Sequence, residues 1–265
     1  MAPVALFAAF MAAQAPLRVP TPDTSLFISK EELIRLYTDC DESRWPWGTG
    51  ELLVPKTDDE LRAGAAKRRG LENRWRAWFA ARAGDSITPT ADDEWVYPLA
   101  LRGRLLRNFN NPRDGGPHEA LDIFVREGTL IRAPAAGVVV AAGDDWVGSW
   151  RRRVGIVYEG GGLSRRAGNG VVIFDPARGA YFYFSHLQPG VMVRTGDVVR
   201  AGQVLGRVGD TGNASRPGHG GHLHFAYKRA GEECGVDGVL VPIDPYQMVR
   251  AARGRMATAP ATGTR

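Results

Sequence analysis

The spacing of hydrophobic residues changes character near residue 95. Before that point apolar positions recur every three or four residues, as on one face of a helix. Ser29-Lys-Glu-Glu32 has the Ser-x-x-Glu form of a capping box, and Leu33, Leu36, Tyr37 and Cys40 follow at helical spacing. Thr57-Asp-Asp-Glu60 repeats the signal ahead of a longer helix, in which Leu71, Trp75, Trp78 and Phe79 form one stripe and Gly84 is the expected stop. Packing on a core explains this stripe better than a sugar-binding platform does. Its expected partner is the outer face of whatever sheet the rest of the chain forms, or another molecule.

From about residue 96 the apolar residues fall in short runs bounded by Gly, Pro or Asp. Thr129 to Ala133, Gly137 to Ala142, Val154 to Tyr158, Val171 to Phe174 and Tyr181 to Phe184 read as strands. The last two flank Asp175-Pro-Ala-Arg-Gly179, whose turn residues predict a hairpin. Val198-Val199 and Val204-Leu205 flank a further glycine-bearing turn. The fold class expected is mainly β, an antiparallel sheet or sandwich preceded by a small helical segment. The expected divisions are a helical segment over 16–95, a β domain over 96–250 and a disordered tail over 251–265, where apolar periodicity is lacking.

Composition narrows the class further. The chain has 265 residues, 44% of them hydrophobic and 24% charged, which suits one globular domain with an accessory segment. No run approaches the roughly 20 apolar residues needed to span a bilayer. Val4 to Ala13 is an apolar run of signal-peptide length, followed by the A-x-A-like Ala13-Gln-Ala15, although no Lys or Arg precedes Arg18. Residues 1–15 are therefore read as an atypical signal, as a signal whose charged leader lies upstream of the given start, or as a buried helix of the mature fold, and export is the favoured expectation. The net charge of +5 favours anionic polymers, with Trp150-Arg-Arg-Arg153 and Arg165-Arg166 as a candidate basic rim; a plain solvated surface is the simpler reading. No nucleic-acid fold signature accompanies the charge, so nucleic acid is not an expected partner. The two cysteines, Cys40 and Cys234, fall one in each region and are either a single disulfide or two thiols.

The candidate chemistry lies in the histidines, of which there are only five. His118 begins His-Glu-Ala-Leu-Asp122, and His222-Leu-His224 lies in a strand-like run. Residues i and i+2 of a strand share a face, so both imidazoles of the pair reach one cavity. Four fully extended residues span roughly 13 Å, too far for two ligands of one ion. A bend near Glu119 is therefore expected to bring His118 back towards Asp122. Nitrogen and carboxylate donors suit zinc, and three protein ligands with an open position mark a catalytic site. The residues alone give His118, Asp122 and one of His222 and His224 as ligands. The remaining imidazoles are left for proton transfer or oxyanion stabilisation. His186 follows the aromatic run Tyr181 to Phe184, and His219 lies in a Gly/Pro-rich loop, where a solvated role is expected.

Taken in order, His-x-x-x-Asp, Ser185-His-Leu187 and His222-Leu-His-Phe225 resemble the lysostaphin-type (LytM-type) zinc metalloendopeptidases. The resemblance runs from about residue 100 to 230 and includes Gly128 to Val138, Gly168 to Ile173, Gly196 to Gly206 and Gly209-Asp-Thr-Gly-Asn213. It implies a two-sheet, barrel-like sandwich with zinc in a groove between loops. It further implies one zinc ion on His118, Asp122 and His224, with His186 and His222 as the catalytic imidazoles. The chain departs from the family in a longer loop, Ala214 to Gly221, and in Ala226, where a glutamate is common.

The function expected from this resemblance is hydrolysis of peptide bonds in bacterial peptidoglycan, in stem cross-links or glycine bridges. The alternative is a non-catalytic wall-binding regulator of another hydrolase, which the intact ligand set disfavours. A wall-binding module built on the aromatic helix is a third reading.

Overall fold

The computed structural model describes residues 26–36, 57–84, 87, 94–113, 116–233 and 235–256. The candidate signal segment and both cysteines lie outside the described residues.

Among the described residues, two helices precede the β structure. Helix α1 (Lys30–Leu36) begins where the Ser29 hydroxyl accepts the Glu32 amide. Helix α2 (Asp58–Ala83) carries a complete capping box: the Thr57 hydroxyl accepts the Glu60 amide, and the Glu60 carboxylate accepts the Thr57 amide. It ends at Gly84, whose φ of 51° suits a residue without Cβ.

The strands follow in chain order: β1 (Arg104–Leu105), β2 (Pro112–Arg113), β3 (Gly116–Pro117), β4 (Leu121–Phe124), β5 (Leu130–Arg132), β6 (Gly137–Gly143), β7 (Val147–Arg151), β8 (Gly155–Gly160), β9 (Asn169–Asp175), β10 (Ala180–Leu187), β11 (Val198–Val199), β12 (Val204–Arg207), β13 (His222–Glu233) and β14 (Val236–Pro242). The main sheet runs β1-β4-β13-β10-β9-β6-β11, with β14 also paired to β13. Its pairings are antiparallel, and β9 and β10 form the hairpin expected across 175–179. Among the described residues, three two-stranded ribbons accompany the main sheet: β5-β12, β2-β3 and β7-β8.

Both faces of the main sheet are covered, which is why its central strands are apolar throughout. On β10, Tyr181 and Tyr183 join one cluster with Leu71, Trp75, Trp78 and Phe79 of α2, while Phe182 and Phe184 join another on the opposite face. The aromatic stripe therefore packs on the sheet, with Trp75 fully buried 5.5 Å from the Phe174 ring. A buried polar link adds to this contact. Glu72 accepts hydrogen bonds from Arg68 at 2.8 Å and from the Tyr181 hydroxyl at 2.7 Å.

The far face is closed by Trp95, Tyr97 and Leu99, by the β5-β12 ribbon, and by helix α3 (Tyr246–Arg255). Residues 251–255, expected to open the disordered tail, are instead the last turn of α3. Only Val249 and Ala252 of this helix are fully buried against the core, too few apolar positions to show as periodicity in the sequence.

Candidate active site

Three neighbouring strands set the floor of the site. Register pairs Asp122 of β4 with His224 of β13, and His224 with Ser185 of β10. Paired residues project to the same side, so this row lies on the face that also carries α2. His222 projects to the same side, two residues before His224. His118 arrives from outside the sheet, held by backbone hydrogen bonds to Asn110 and Asn111, and the chain bends at Ala120, one residue beyond the expected position.

His186 reaches this face by an irregularity. Strict alternation would turn it to the opposite face, between Ser185 and Leu187. A β-bulge between those two residues breaks the register, and His186 takes a φ of 66°, unusual for a residue with a side chain. Its ring centre lies 4.9 Å from His222 and 5.6 Å from His224. This strained conformation is retained because the surroundings fix it: the His186 amide donates to Ala167, its carbonyl accepts from Gly209, and its Nδ1 lies 2.8 Å from the Thr211 carbonyl.

Backbone carbonyls determine the tautomers, because a carbonyl oxygen can only accept. Nδ1 of His118 faces the Asn108 carbonyl at 3.0 Å, Nδ1 of His186 faces Thr211, and Nδ1 of His222 faces Gly220 at 3.2 Å. Each Nδ1 therefore carries hydrogen when the ring is neutral, and each Nε2 carries a lone pair. His118 Nε2 lies 3.2 Å from His224 Nδ1 and 3.3 Å from Asp122 Oδ1, and the last two atoms are 3.0 Å apart. One proton can satisfy only one of these three contacts. A cation satisfies them all, and the ligand atoms of His118, Asp122 and His224 lie within 4.8 Å of one another. Two nitrogens and a carboxylate oxygen are a donor set that fits zinc. The buried Ser185 hydroxyl in the same row has no hydrogen-bond partner among the described residues.

Electrostatics keep the site ready for a cation. Burial pushes the Asp122 carboxyl up, but hydrogen bonds and charge from His118 and His224 outweigh it and hold the group well below the usual carboxylate range. Burial lowers His224 to about 4 against the opposing pull of Asp122. His186 is lowered well below the ordinary imidazole value, first by burial and then by its neighbours His222 and His224. At neutral pH these two rings are uncharged and offer lone pairs.

The five expected site residues thus lie together, and His219 stands apart as an exposed loop residue. Sequence reasoning missed the supports. The Asn108 side chain donates to Asp122 Oδ2 at 2.8 Å, and Arg113 lies 2.7 Å from the same oxygen. Lys228 and Glu119 form a buried ion pair at 2.8 Å beside His118. Phe124 stacks on His222 at 5.0 Å. The sequence carried no spacing signal for Asn108 or Arg113; the cationic Lys228 in an apolar strand was the one available cue.

Residues 116–235 match the family model described as peptidase family M23. This part of the chain is similar to peptidase family M23. An L-Ala--D-Glu endopeptidase of Bacillus subtilis is 33% identical over 140 residues, covering 51% of this chain and 35% of that protein. A glycyl-glycine endopeptidase of Staphylococcus capitis is 33% identical over 112 residues, covering 42% of this chain and 25% of that protein. The match therefore spans about a third or less of these curated relatives. Among solved structures, lysostaphin from Staphylococcus simulans is 21% identical, with a TM-score of 0.42 over 66% of this chain and 59% of that one. The matched stretch includes all five of the clustered site residues.

Proposed function

We propose that this chain is a zinc-dependent endopeptidase that hydrolyses peptide bonds in bacterial peptidoglycan. His118, Asp122 and His224 would hold the metal, and His186 and His222 would handle protons. The observation that carries this reading is the convergence of three lone-pair donors within 4.8 Å beside two further imidazoles. Zinc bound there supplies a Lewis acid for water and for the scissile carbonyl.

The protein's own groups supply the rest. His186 and His222 each direct Nε2 away from a carbonyl-bound Nδ1, as a proton acceptor must. One takes the proton of the attacking water. The other, once protonated, holds the developing oxyanion or delivers a proton to the leaving amine. The strained φ of His186 fixes its ring before substrate arrives, so no reorganisation is needed at the moment of reaction. Peptidoglycan lies outside the cytoplasm, in keeping with the leader-like N-terminal run.

The test pairs metal content with digestion of purified peptidoglycan by wild type and His224→Ala. Near-stoichiometric zinc and new amine termini from wild type alone are expected. Folded, zinc-free protein that binds wall without cutting it would overturn the reading.

A further inference from the structure

The two basic runs of the sequence meet in space at one loop. The Asn213 amide donates to the Arg166 carbonyl at 2.9 Å, and the Arg216 guanidinium lies 5.1 Å from the Trp150 ring centre. Trp146 links the third segment through its indole N–H to the Arg165 carbonyl at 3.3 Å. Arg151, Arg152, Arg153, Arg166 and Arg216 are all exposed. The loop they surround runs from Thr211, whose carbonyl accepts from His186, to His222. From the other side of the sequence, the half-exposed Arg113 reaches the Asp122 carboxylate.

We propose that Arg216, with Arg113 and the neighbouring arginines, recognises a free carboxylate on the peptide substrate, making acidic stem peptides the preferred substrate class over uncharged glycine bridges. This rests on the peptidase reading above.

A guanidinium matches a carboxylate as a two-pronged donor, which an uncharged glycine bridge cannot exploit. Stacking on Trp150 holds Arg216 in place and lowers the ordering cost of each contact. His219 is lowered first by burial and then by the charges of Arg216, His222 and Arg113, against an opposing pull from Asp122. Glu127, Asp144, Asp145, Glu159 and Asp210 are the acidic residues along the same segments, and none forms an ion pair with these arginines among the described residues.

The experiment uses two non-hydrolysable peptides, identical except that one carries a free side-chain carboxylate and the other its primary amide. Binding is measured by fluorescence anisotropy for wild type, Arg216→Gln and Arg250→Gln. The last removes an equal charge from the exposed face of α3, on the opposite side of the sheet. Wild type and Arg250→Gln are expected to prefer the carboxylate form about tenfold, and Arg216→Gln only about twofold, through loss of the carboxylate peptide. Added salt should shrink the wild-type preference. Equal wild-type affinity for the two peptides, or the same loss from Arg216→Gln and Arg250→Gln, would overturn the proposal. Cleavable versions of the pair separate the two claims. Preference without cleavage sinks the peptidase reading and leaves the carboxylate rim standing; cleavage without preference does the reverse.

Discussion

His186 Nδ1 donates to the carbonyl of Thr211 at 2.8 Å, and the Thr211 hydroxyl clamps the bulge that aims His186. That hydroxyl donates to the Leu187 carbonyl at 2.8 Å and accepts the Asn169 amide at 2.9 Å. Thr211→Val keeps the side-chain shape but strands two buried backbone groups. A loss of about 2 kcal/mol is expected in urea unfolding. Zinc content should change little, since the three proposed ligands lie on other segments of the chain, while turnover should fall as His186 loses its fixed direction. A variant with unchanged stability and turnover would mean the bulge holds itself.

Acid should weaken the metal-free fold. Burial is the main cause that lowers His186 and His224, the latter to about 4. In the unfolded chain both titrate near the ordinary value of about 6.5. Above that value neither state binds the proton and the full contribution remains. Below it the unfolded chain takes up protons that the native rings resist, so stability falls as pH falls, by up to about 1.4 kcal/mol per pH unit for each histidine. Thermal unfolding of chelator-treated protein between pH 7 and 5 is the check, and His186→Phe should flatten the slope.

Much of this architecture was legible because it depends on local rules. The Ser29 and Thr57 caps marked both helix starts, and the i, i+2 spacing placed His222 and His224 on one face. The His118 to Asp122 spacing required a bend, which the chain makes at Ala120. Long-range packing stayed hidden. Alternation along β10 sends His186 to the wrong face, and no residue in Ser185-His-Leu187 announces the bulge that corrects it. Asn108 supports Asp122 across 14 positions of chain, a distance over which side-chain type carries no signal. The exposed ribbon β7-β8 mixes Val, Ser, Trp and Arg because little of it is buried, which leaves its first strand without a hydrophobic pattern.

Lys228 and Glu119 offer a test of buried charge. Their side chains are 3% and 2% exposed and the ion pair measures 2.8 Å. Lys228→Met takes this counter-ion from a carboxylate that sits next to His118, and a loss of about 3 to 5 kcal/mol is expected. Combining it with Glu119→Leu should recover most of that loss, because both desolvation costs then disappear. Chemical denaturation of the two single variants and the double variant measures the coupling. Strictly additive losses would show that the pair contributes no mutual stabilisation.

Asn108 touches both halves of the ligand set. Its side-chain amide donates to Asp122 Oδ2 at 2.8 Å, its side-chain oxygen accepts the Asp122 amide at 3.3 Å, and its backbone carbonyl accepts from His118 Nδ1 at 3.0 Å. Asn108→Ala removes the two side-chain contacts and leaves the third. Asp122 then loses a support that turns Oδ1 towards His118 and His224. Supporting hydrogen bonds of this kind are worth about 10- to 100-fold in metal affinity. A drop of that size is expected in competition with a chromophoric chelator. Asn108→Asp should be worse than Asn108→Ala, since it sets a second carboxylate against Asp122 Oδ2. If both variants bind zinc as wild type does, Arg113 alone suffices to orient the carboxylate, and Arg113→Ala should then show the loss instead.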